Sequence, residues 1–341
     1  MAPLPRVSII IVTWNALPLL KTCLPSVVET QYANLEIILA DNASSDGSLE
    51  WVRQQFPHIT IVRHPENWAF ARGNNAALSS ATGSYIVFLN NDVKVTAGWL
   101  APLVERMERF PHVAAIQPKL LQYSDHLRFE YAGGSGGFID KYGYPFTRGR
   151  LFHTLEYDRG QYDDAREIFW ATGAALLVRR STFSAVGGFD EHFVMHMEEI
   201  DLCWRFHRNG YMVMVEPRSH VYHIGGASLP AGDARKTYYN YRNSLLMLYK
   251  NHSPTRWRRI LAGRLLFDSL AYIRAVLTGR WRESRAILSA FCDAHKMRKL
   301  YQSSRPTDAD NFSPVFRRSI IVQYFVMRRL FFDDLPKHLF S

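Results

Sequence analysis

The chain has 341 residues, of which 47% are apolar and 21% are charged, values typical of a globular protein with a sizeable core. Its net charge of +10 indicates an anionic partner, either membrane lipid or nucleic acid. Three scattered cysteines argue against disulfides and a zinc site and fit a reducing compartment with buried thiols, and we expect neither a signal peptide nor a membrane span.

Strands and helices alternate over the N-terminal part of the chain. The β-branched run from Arg6 to Asn15 is typical of a strand that is buried on both faces. The predicted elements after it are a helix over 17–31, a strand from 35, a helix over 48–56, a strand over 58–62, a helix over 69–81 and a strand over 85–89. This order predicts an α/β fold with a mostly parallel central sheet and right-handed crossovers.

Three of these strands end in polar residues. The residues are Thr13 and Asn15, Asp41 and Asn42, and Asn90, Asn91 and Asp92. Because ligands of such sheets bind beyond the carboxyl ends of the strands, we expect the three groups to converge on one edge. Turn formation explains Asp41-Asn42 equally well, whereas the alternative is base recognition, in which the carboxylate accepts the imide N–H of uracil or thymine.

The helix predicted over 69–81 begins with a candidate anion site. Asn67 lies near its N-cap, and Arg72 and Asn74 follow in its first turns. One interpretation is an ordinary cap followed by a surface arginine. The other places Arg72 and the amides of the helix N-terminus against an anion such as a diphosphate.

The stretch Asn90-Asn91-Asp92 also permits two interpretations. Either its side chains cap the next element, or Asp92 is a ligand of a hard divalent cation that bridges phosphate oxygens. Mn²⁺ and Mg²⁺ take few protein carboxylates when substrate phosphates are present. Under the second interpretation we expect Mn²⁺ or Mg²⁺, with phosphate oxygens and water as further ligands.

Beyond residue 121 the periodicity is lost and then returns. Residues 122–166 are rich in Tyr and Gly and predict a long loop with short strands, which we interpret as a mobile lid. A strand over 169–180, a helix over 197–209 and a helix over 234–250 follow. His220 and His223 point to opposite faces of a strand, so a shared metal is not expected. A structural role is the default for either, and His223, beside two glycines, is the better ligand candidate.

The helix over 197–209 begins with Glu198, Glu199 and Asp201. The helix dipole and pairing with Arg205 explain Asp201. One of the two glutamates is a candidate general base, because crowding and burial raise the pKa of a carboxyl group toward neutrality. Residues 198 and 199 are about 100° apart on a helix, so only one of them should face a site.

Taken in order, these stretches resemble family 2 glycosyltransferases of the GT-A fold, in particular the bacterial rhamnosyltransferase-like branch. The matching elements, within residues 7–245, are VSIIIVTWN, DNASSDGS, ENWAFARGNN, FLNNDV, GGFDEHFVMHMEEIDLCWR and HIGGAS. The resemblance implies an inverting transfer from a nucleotide-diphosphate sugar, with a divalent cation at the diphosphate. The Gln-x-x-Arg-Trp signature of processive synthases is absent, so we expect addition of a single sugar.

The resemblance also implies roles for individual residues. The candidate donor-binding residues are Thr13, Asn15, Asp41, Asn67, Arg72, Asn74, Asn90 and Asn91, and the candidate metal ligands are Asp92 and His223. Glu199 takes the place of the acid that deprotonates the acceptor hydroxyl, with Glu198 as the alternative. Two departures from the family are Ala69, which replaces a common glycine, and Glu199, which replaces the commoner aspartate.

The charge divides the chain into a glycosyltransferase-like catalytic domain over residues 1–251, which we call the body, and a basic helical stretch over residues 252–341, which we call the extension. The extension holds 17 Lys and Arg against 7 Asp and Glu, whereas the body holds 24 of each kind. Arginines recur beside apolar residues at helical spacing, which fits either helices packed on the body or an interfacial anchor on anionic lipid. We favour the anchor.

These observations together predict a cytoplasmic enzyme that is peripheral on the inner face of the plasma membrane. Its expected acceptor is a saccharide, free or linked to a polyprenyl diphosphate, in cell-envelope polysaccharide assembly, and the sugar transferred is rhamnose. One alternative is transfer of galactose or an N-acetylhexosamine by the same fold. Another is a non-catalytic protein whose basic extension holds nucleic acid, a partner that we do not expect.

Overall fold

The computed structural model describes residues 4–225, 233–307 and 314–340. The strands are β1 (Val7–Thr13), β2 (Leu35–Asp41), β3 (Thr60–Arg63), β4 (Tyr85–Leu89), β5 (Val93–Val95), β6 (Val113–Gln122), β7 (Gly137–Asp140), β8 (Pro145–Thr147), β9 (Arg150–Leu151), β10 (Thr154–Leu155), β11 (Arg166–Glu167), β12 (Ala175–Arg179), β13 (Met212–His223) and β14 (Val315–Phe316). The helices are α1 (Leu17–Val28), α2 (Ser48–Gln55), α3 (Ala69–Ala77), α4 (Leu100–Arg109), α5 (Arg180–Ala185), α6 (Glu198–Arg208), α7 (Ala234–Asn251), α8 (Pro254–Leu277) and α9 (Trp281–Met297).

The central sheet runs in the order β11-β13-β6-β12-β4-β1-β2-β3, and β5 pairs with β13. The pairs β3–β2, β2–β1 and β1–β4 are parallel, as the alternation of strands and helices predicts. β12 lies antiparallel between β4 and β6, so the second half of the sheet is mixed. Successive isoleucines of β1 are buried on opposite faces, Ile10 in one apolar cluster and Ile9 and Ile11 in the other.

Residues 122–166 are built into the core. They contribute β7, β8, β9 and β10 to a small second sheet of order β10-β9-β8-β7-β14. The short strands agree with the sequence prediction. Phe129, Phe138 and Phe146 from this segment are buried in the main apolar cluster, so the interpretation of the segment as a mobile lid is wrong.

The extension supplies the last strand of that small sheet. β14 pairs in parallel with β7, and the backbone N–H of Ile320 donates to Asp140 Oδ2 across 2.9 Å. The ring of Phe146 lies 5.9 Å from that of Phe316 and 6.2 Å from that of Phe332. The described part of the extension therefore packs on the body, and a domain boundary between residues 251 and 252 stays a prediction.

Two expectations from composition concern the burial of the cysteines and the absence of membrane spans. Cys23 and Cys203 are buried as predicted, whereas Cys292 is exposed, because it lies on the outer side of α9. No helix within the described residues has the length and hydropathy that a bilayer crossing requires.

Candidate active site

The carboxyl ends of β2, β1 and β4 lie side by side, and we call this place the polar edge. Thr13 and Asp41 are register partners in the parallel pair β1–β2. Asn91 Nδ2 donates to Thr13 Oγ1 across 3.1 Å, which joins the end of β4 to the end of β1. The three polar groups therefore converge as the sequence predicts, and the roles of their members in binding stay predictions.

Side chains tie together the two turns that follow β1 and β2. Asn15 has a φ of 46°, and its Oδ1 accepts from the backbone N–H of Ser45 across 2.8 Å. The two carboxylate oxygens of Asp41 accept from the backbone N–H of Ser44 at 3.2 and 3.1 Å. Asp41 thus forms the turn contact expected of an Asx residue, and Arg63 Nε lies 4.0 Å from it.

The start of α3 has a strained residue held by two asparagines. Ala69 has a φ of 53°, a left-handed conformation that costs a residue with a side chain about 1–2 kcal/mol. Asn67 Oδ1 accepts from the Ala69 backbone N–H across 2.9 Å, and Asn42 Nδ2 donates to the Ala69 carbonyl across 3.0 Å. The backbone conformation explains why glycine is the residue expected at position 69.

Arg72 and Asn74 differ in what they can reach. Arg72 is half-exposed, with its guanidinium 4.0 Å above the ring of Trp68 and 3.6 Å from Glu66. Asn74 is 1% exposed, and its Nδ2 donates to the Phe70 carbonyl within α3 across 3.0 Å. Of the two candidates, Arg72 is therefore the one that solvent and an incoming anion can contact.

Asp92, His223 and Glu130 form a buried cluster, which we call the acid–histidine corner. His223 Nε2 lies 3.1 Å from Asp92 Oδ1, and His223 Nδ1 lies 3.3 Å from Glu130 Oε2. Burial alone would lower the pKa of His223, but the two carboxylates outweigh it and raise this pKa to about 10. The corner thus favours positive charge. A β-bulge between Glu216 and His220 precedes His223 in β13.

A divalent cation of the kind expected would take the place of the His223 proton at the corner, because a histidine ligand is neutral. The corner presents one carboxylate and one imidazole in contact, with a second carboxylate behind the imidazole, although among the described residues no group of three His, Cys, Asp or Glu is placed to hold an ion by itself. A hard cation takes its remaining ligands from substrate phosphates and water. Asn90, at the same strand end, donates its backbone N–H to the Ala174 carbonyl across 2.9 Å.

The turn before α6 has an unusual backbone. Val194, His196 and Met197 have φ values of 65°, 66° and 72°, and for a β-branched residue this conformation is a rare outlier. Asn243 of α7 is fully buried, and its Nδ2 donates to three carbonyl oxygens of the turn at 2.8, 2.8 and 2.7 Å. We call the turn and its clamp, residues 193–197 and Asn243, the base turn.

Further contacts from α7 hold the start of α6. Lys250 Nζ lies 2.6 Å from Asp190 Oδ2 and 2.9 Å from Asp201 Oδ2. Asp201 also pairs with Arg205 across 2.9 Å, as the spacing predicts. Arg242 donates to a main-chain carbonyl ahead of the turn across 2.9 Å. Lys250 and Arg242 of α7 therefore help to position α6.

α6 begins with Glu198 and Glu199, and each has a carboxylate oxygen without a hydrogen bond among the described residues. Glu198 is 5% exposed and Glu199 is half-buried, and Oε2 of each has no hydrogen-bond partner in the described part of the chain. Burial raises the pKa of Glu199 to about 7. Burial and the neighbouring Glu199 raise the pKa of Glu198 well above its usual range. Burial thus opposes ionisation of both glutamates, and Glu199, the more exposed of the two, is the better candidate for a base.

Residues 172–174 connect the end of β4 with the start of α6. Ala174 accepts the Asn90 N–H at the end of β4. The position that a Cβ of Gly173 would take lies 3.8 Å from Glu199 Cβ and 3.2 Å from Phe70 Cζ. One short segment thus touches both the strand end that carries Asp92 and the more exposed glutamate.

The structure brings two residues into the site that the sequence did not identify. Glu130 comes from the segment interpreted as a lid, and nothing in its neighbourhood signals contact with His223. Asn243 could have been found from the sequence, because it precedes the run Ser244–Leu248 in a helix, and a buried amide requires hydrogen-bond partners. The stretch from Gly226 to Ser228, predicted as part of HIGGAS, lies outside the described residues.

Comparison with known proteins gives a family match and a relative of similar length. The profile described as Glycosyl transferase family 2 matches residues 8–187. N-acetylglucosaminyl-diphospho-decaprenol L-rhamnosyltransferase of Mycobacterium tuberculosis is 27% identical over 290 residues, which cover 79% of this chain and 93% of that protein.

Solved structures with a similar fold include two that contain a nucleotide and Mn²⁺. GalNAc-T7 with UDP, GalNAc and Mn²⁺ matches 73% of this chain and 48% of that chain, with a TM-score of 0.58 and 16% identity. The mannosyltransferase PcManGT from Pyrobaculum calidifontis with GDP-Man and Mn²⁺ matches 88% of this chain and 89% of that chain, with a TM-score of 0.53 and 18% identity.

Proposed function

The chain belongs to glycosyltransferase family 2 and has the GT-A fold, and on that premise we propose a metal-dependent, inverting transfer of one sugar to a lipid-linked saccharide in cell-envelope polysaccharide assembly. The relative of Mycobacterium tuberculosis supports rhamnose as the sugar, and galactose or an N-acetylhexosamine is the alternative. The observation that carries the proposal is Glu199, a half-buried glutamate with an unpaired oxygen, joined through residues 172–174 to the strand end that holds Asp92.

Glu199 is the proposed general base. Its carboxylate accepts the proton of the acceptor hydroxyl while that oxygen forms a bond to the anomeric carbon of the donor sugar. The bond from this carbon to the diphosphate oxygen breaks, and the nucleoside diphosphate leaves with the electron pair. A pKa of about 7 suits this task, because the carboxylate is ionised and still basic near neutral pH.

The polar edge and the acid–histidine corner are proposed to hold the donor. Thr13, Asn15 and Asp41 would bind the nucleoside, and the half-exposed Arg72 would meet the diphosphate. Asp92 and His223 would hold Mn²⁺ or Mg²⁺, which supplies Lewis-acid stabilisation of the departing diphosphate when bound. Asn90 and Asn91 add neutral amides at the same strand end, so the site has less negative charge than two aspartates would give.

A screen of nucleotide-sugars tests the proposed donor. UDP-, GDP- and dTDP-sugars are added with Mn²⁺, and the melting temperature is measured. A ligand at one hundred times its Kd stabilises the folded protein by about 2.7 kcal/mol, so the true donor raises this temperature. Its transfer product should have the anomeric configuration opposite to that of the donor, read by NMR. If no nucleotide-sugar shifts the melting temperature, the proposed function is wrong.

An exposed apolar stripe on α8 supports membrane attachment. Leu266, Leu270, Ile273 and Leu277 are 59%, 55%, 48% and 81% exposed. Their spacing places them on one face of the helix, opposite the buried residues Ile260, Arg264, Asp268 and Ala275. We call the four residues the α8 stripe. An apolar stripe this exposed is typical of a surface that binds a partner.

Arginines beside the α8 stripe indicate which partner it meets. Arg258, Arg259 and Arg274 are exposed, and no carboxylate within the described residues pairs with them. An apolar face bordered by unpaired arginines matches the boundary between acyl chains and anionic headgroups. We therefore propose that the enzyme acts on the inner face of the plasma membrane, where a polyprenyl-diphosphate-linked acceptor would be presented.

Flotation with vesicles tests the membrane proposal. Removal of the extension would uncover the aromatic core that β14 completes, so substitution is the better experiment. Replacement of the α8 stripe by serines should abolish flotation with phosphatidylglycerol–phosphatidylcholine vesicles, and salt should weaken the binding of the wild type. The control replaces Leu127 and Tyr157, two exposed residues of another surface. Equal flotation of wild type and stripe variant would refute the anchor.

A further inference from the structure

Two cations meet at an exposed tyrosine beside the candidate active site. The guanidinium carbon of Arg150 lies 3.1 Å from the centre of the Tyr131 ring, and Lys236 Nζ lies 5.0 Å from it. Tyr131 is 49% exposed, and Arg150 and Lys236 are each partly exposed. We call these three residues the cation platform.

The charges of the cation platform are not balanced by a direct partner. Arg150 donates to the carbonyl oxygens of Tyr131 and Phe152 at 2.7 and 2.8 Å, and no carboxylate within the described residues lies in ion-pair distance of either cation. Glu130 acts on the Arg150 charge only from farther away. Two like charges at one ring repel each other, and an anion bound between them would remove that cost.

The cation platform lies between the two halves of the site. Tyr131 directly follows Glu130, whose carboxylate contacts His223 in the acid–histidine corner. On the other side, burial and the nearby Lys236 charge lower the pKa of His196, which lies in the base turn just before Glu198. The platform thus adjoins residues next to the proposed metal site on one side and the base turn on the other.

We propose that Arg150 and Lys236, supported by Tyr131, bind a phosphate group of the acceptor, so that the acceptor is a saccharide carried on a prenyl phosphate or diphosphate. The inference rests on the proposed function, because it assigns one part of the transferase site. The donor diphosphate has its own partners at Asp92, His223 and Arg72, whereas the Lys236 side of the platform adjoins the base turn. In a glycosyl diphosphate the phosphate is attached to the same sugar whose hydroxyl attacks the anomeric carbon of the donor.

Calorimetry with geranyl diphosphate tests this assignment. The protein is first saturated with Mn²⁺ and the nucleoside diphosphate that binds it, so that the donor site is filled. The wild type should bind geranyl diphosphate, and Lys236→Gln and Arg150→Gln should each weaken this binding about tenfold, because each removes a charge-assisted contact. Geraniol, which lacks the phosphates, should bind all three proteins equally weakly.

A matched substitution controls for the loss of one surface lysine. Lys141 Nζ lies 4.7 Å from the centre of the Tyr142 ring in the turn between β7 and β8, which repeats the lysine–tyrosine pair at another place. Lys141→Gln should leave the affinity for geranyl diphosphate unchanged. Melting temperatures of the three variants establish that each is folded before the titration.

The outcomes separate this inference from the proposed function. If the two platform variants lose affinity for the nucleoside diphosphate as strongly as for geranyl diphosphate, the cations serve the donor and the inference is overturned. No binding of geranyl diphosphate by the wild type, or unchanged binding by both variants, overturns it as well. If no nucleoside diphosphate binds with Mn²⁺, the proposed function fails, and the titration of the nucleotide-free protein still decides whether the platform binds phosphate.

Discussion

Two pairs of buried carboxylates lie in this molecule, and their charge states differ. Asp92 and Glu130 have the His223 imidazolium between them, with contacts of 3.1 and 3.3 Å. Glu198 and Glu199 have no cation in contact, and one oxygen of each lacks any hydrogen-bond partner among the described residues. The first pair shares one positive charge, which offsets one of its two negative charges, whereas burial favours the protonated forms of the second pair.

The difference shows that burial alone does not determine whether a carboxylate is charged or protonated. A negative charge in a buried place is stable when a cation lies beside it, and the pair at the corner is therefore suited to holding positive charge. Without that cation, burial raises the pKa, so that Glu199 gains affinity for a proton near neutral pH. One pair is built for a cation and the other for proton transfer.

The largest expected effect comes from removing the proton acceptor. Glu199→Gln keeps the shape of the side chain but cannot accept a proton, so kcat should fall about 10³-fold while the affinity for the nucleoside diphosphate with Mn²⁺ stays the same. The substitution also removes a charge that is costly to bury. Above pH 7 the variant should therefore melt at a higher temperature than the wild type, and near pH 4 the two should agree. Full activity of Glu199→Gln would refute the base assignment.

The next effect concerns the clamp that holds the base turn. Asn243→Ala removes three hydrogen bonds to a strained backbone, so Glu199 loses its position and kcat should fall about 10²-fold with the donor KM unchanged. Asn251 is the matched control, because it is also a buried asparagine of α7 and donates to Asp201 rather than to the turn. Asn251→Ala should cost comparable stability and much less kcat. Equal losses of kcat would mean that Asn243 has only a structural role.

A smaller effect is expected at the partner of the histidine. Glu130→Gln leaves Asp92 and His223 in place but removes the carboxylate behind the imidazole, so the affinity for Mn²⁺ in the presence of nucleoside diphosphate should fall about tenfold. Titration followed by electron paramagnetic resonance measures it. Asp92→Asn, which removes the proposed ligand itself, should abolish the binding. Unchanged affinity in Glu130→Gln would show that the corner does not act as a unit.

The smallest effect distinguishes the two glutamates from each other. Glu198 is the more buried of the two, and the neighbouring Glu199 opposes its ionisation, so we expect Glu198→Gln to exchange one neutral group for another. In the wild type kcat/KM should rise with pH through an inflection near 7, because only ionised Glu199 accepts the proton. This inflection should move by less than about one pH unit in Glu198→Gln. A larger shift would mean that Glu198 is the ionised member of the pair.

The parts of the fold that the sequence predicted are those governed by local patterns. Buried β-branched runs predicted β1 and β2, and the polar residues that follow them predicted the polar edge, because each of these features is contained within a few residues. The residues at the start of α6 were likewise visible, since three acids in one helical turn are conspicuous. What these local patterns lacked was any information on contacts between distant segments.

The remaining parts depend on such distant contacts. Glu130 meets His223 only because β6 and β13 are neighbours in the sheet, and no spacing along the chain records this pairing. The segment 122–166 was misinterpreted as a lid because its strands are short and their partner β14 lies in the extension. The base turn was missed because positive φ at Val194 is imposed by hydrogen bonds from α7 and is unfavourable for valine itself.

The pairing of β7 with β14 has a consequence for the order of folding. Ile139 pairs with Val315 across about half of the length of the chain, so the small sheet has a high contact order and must close a long loop. During synthesis Phe138 and Phe146 stay unpacked until their partners Phe332 and Phe316 have been translated. In that period chaperone binding or aggregation competes with folding. Because Glu130 and Arg150 belong to the same segment, we expect the candidate active site to be complete only after β14 has paired with β7.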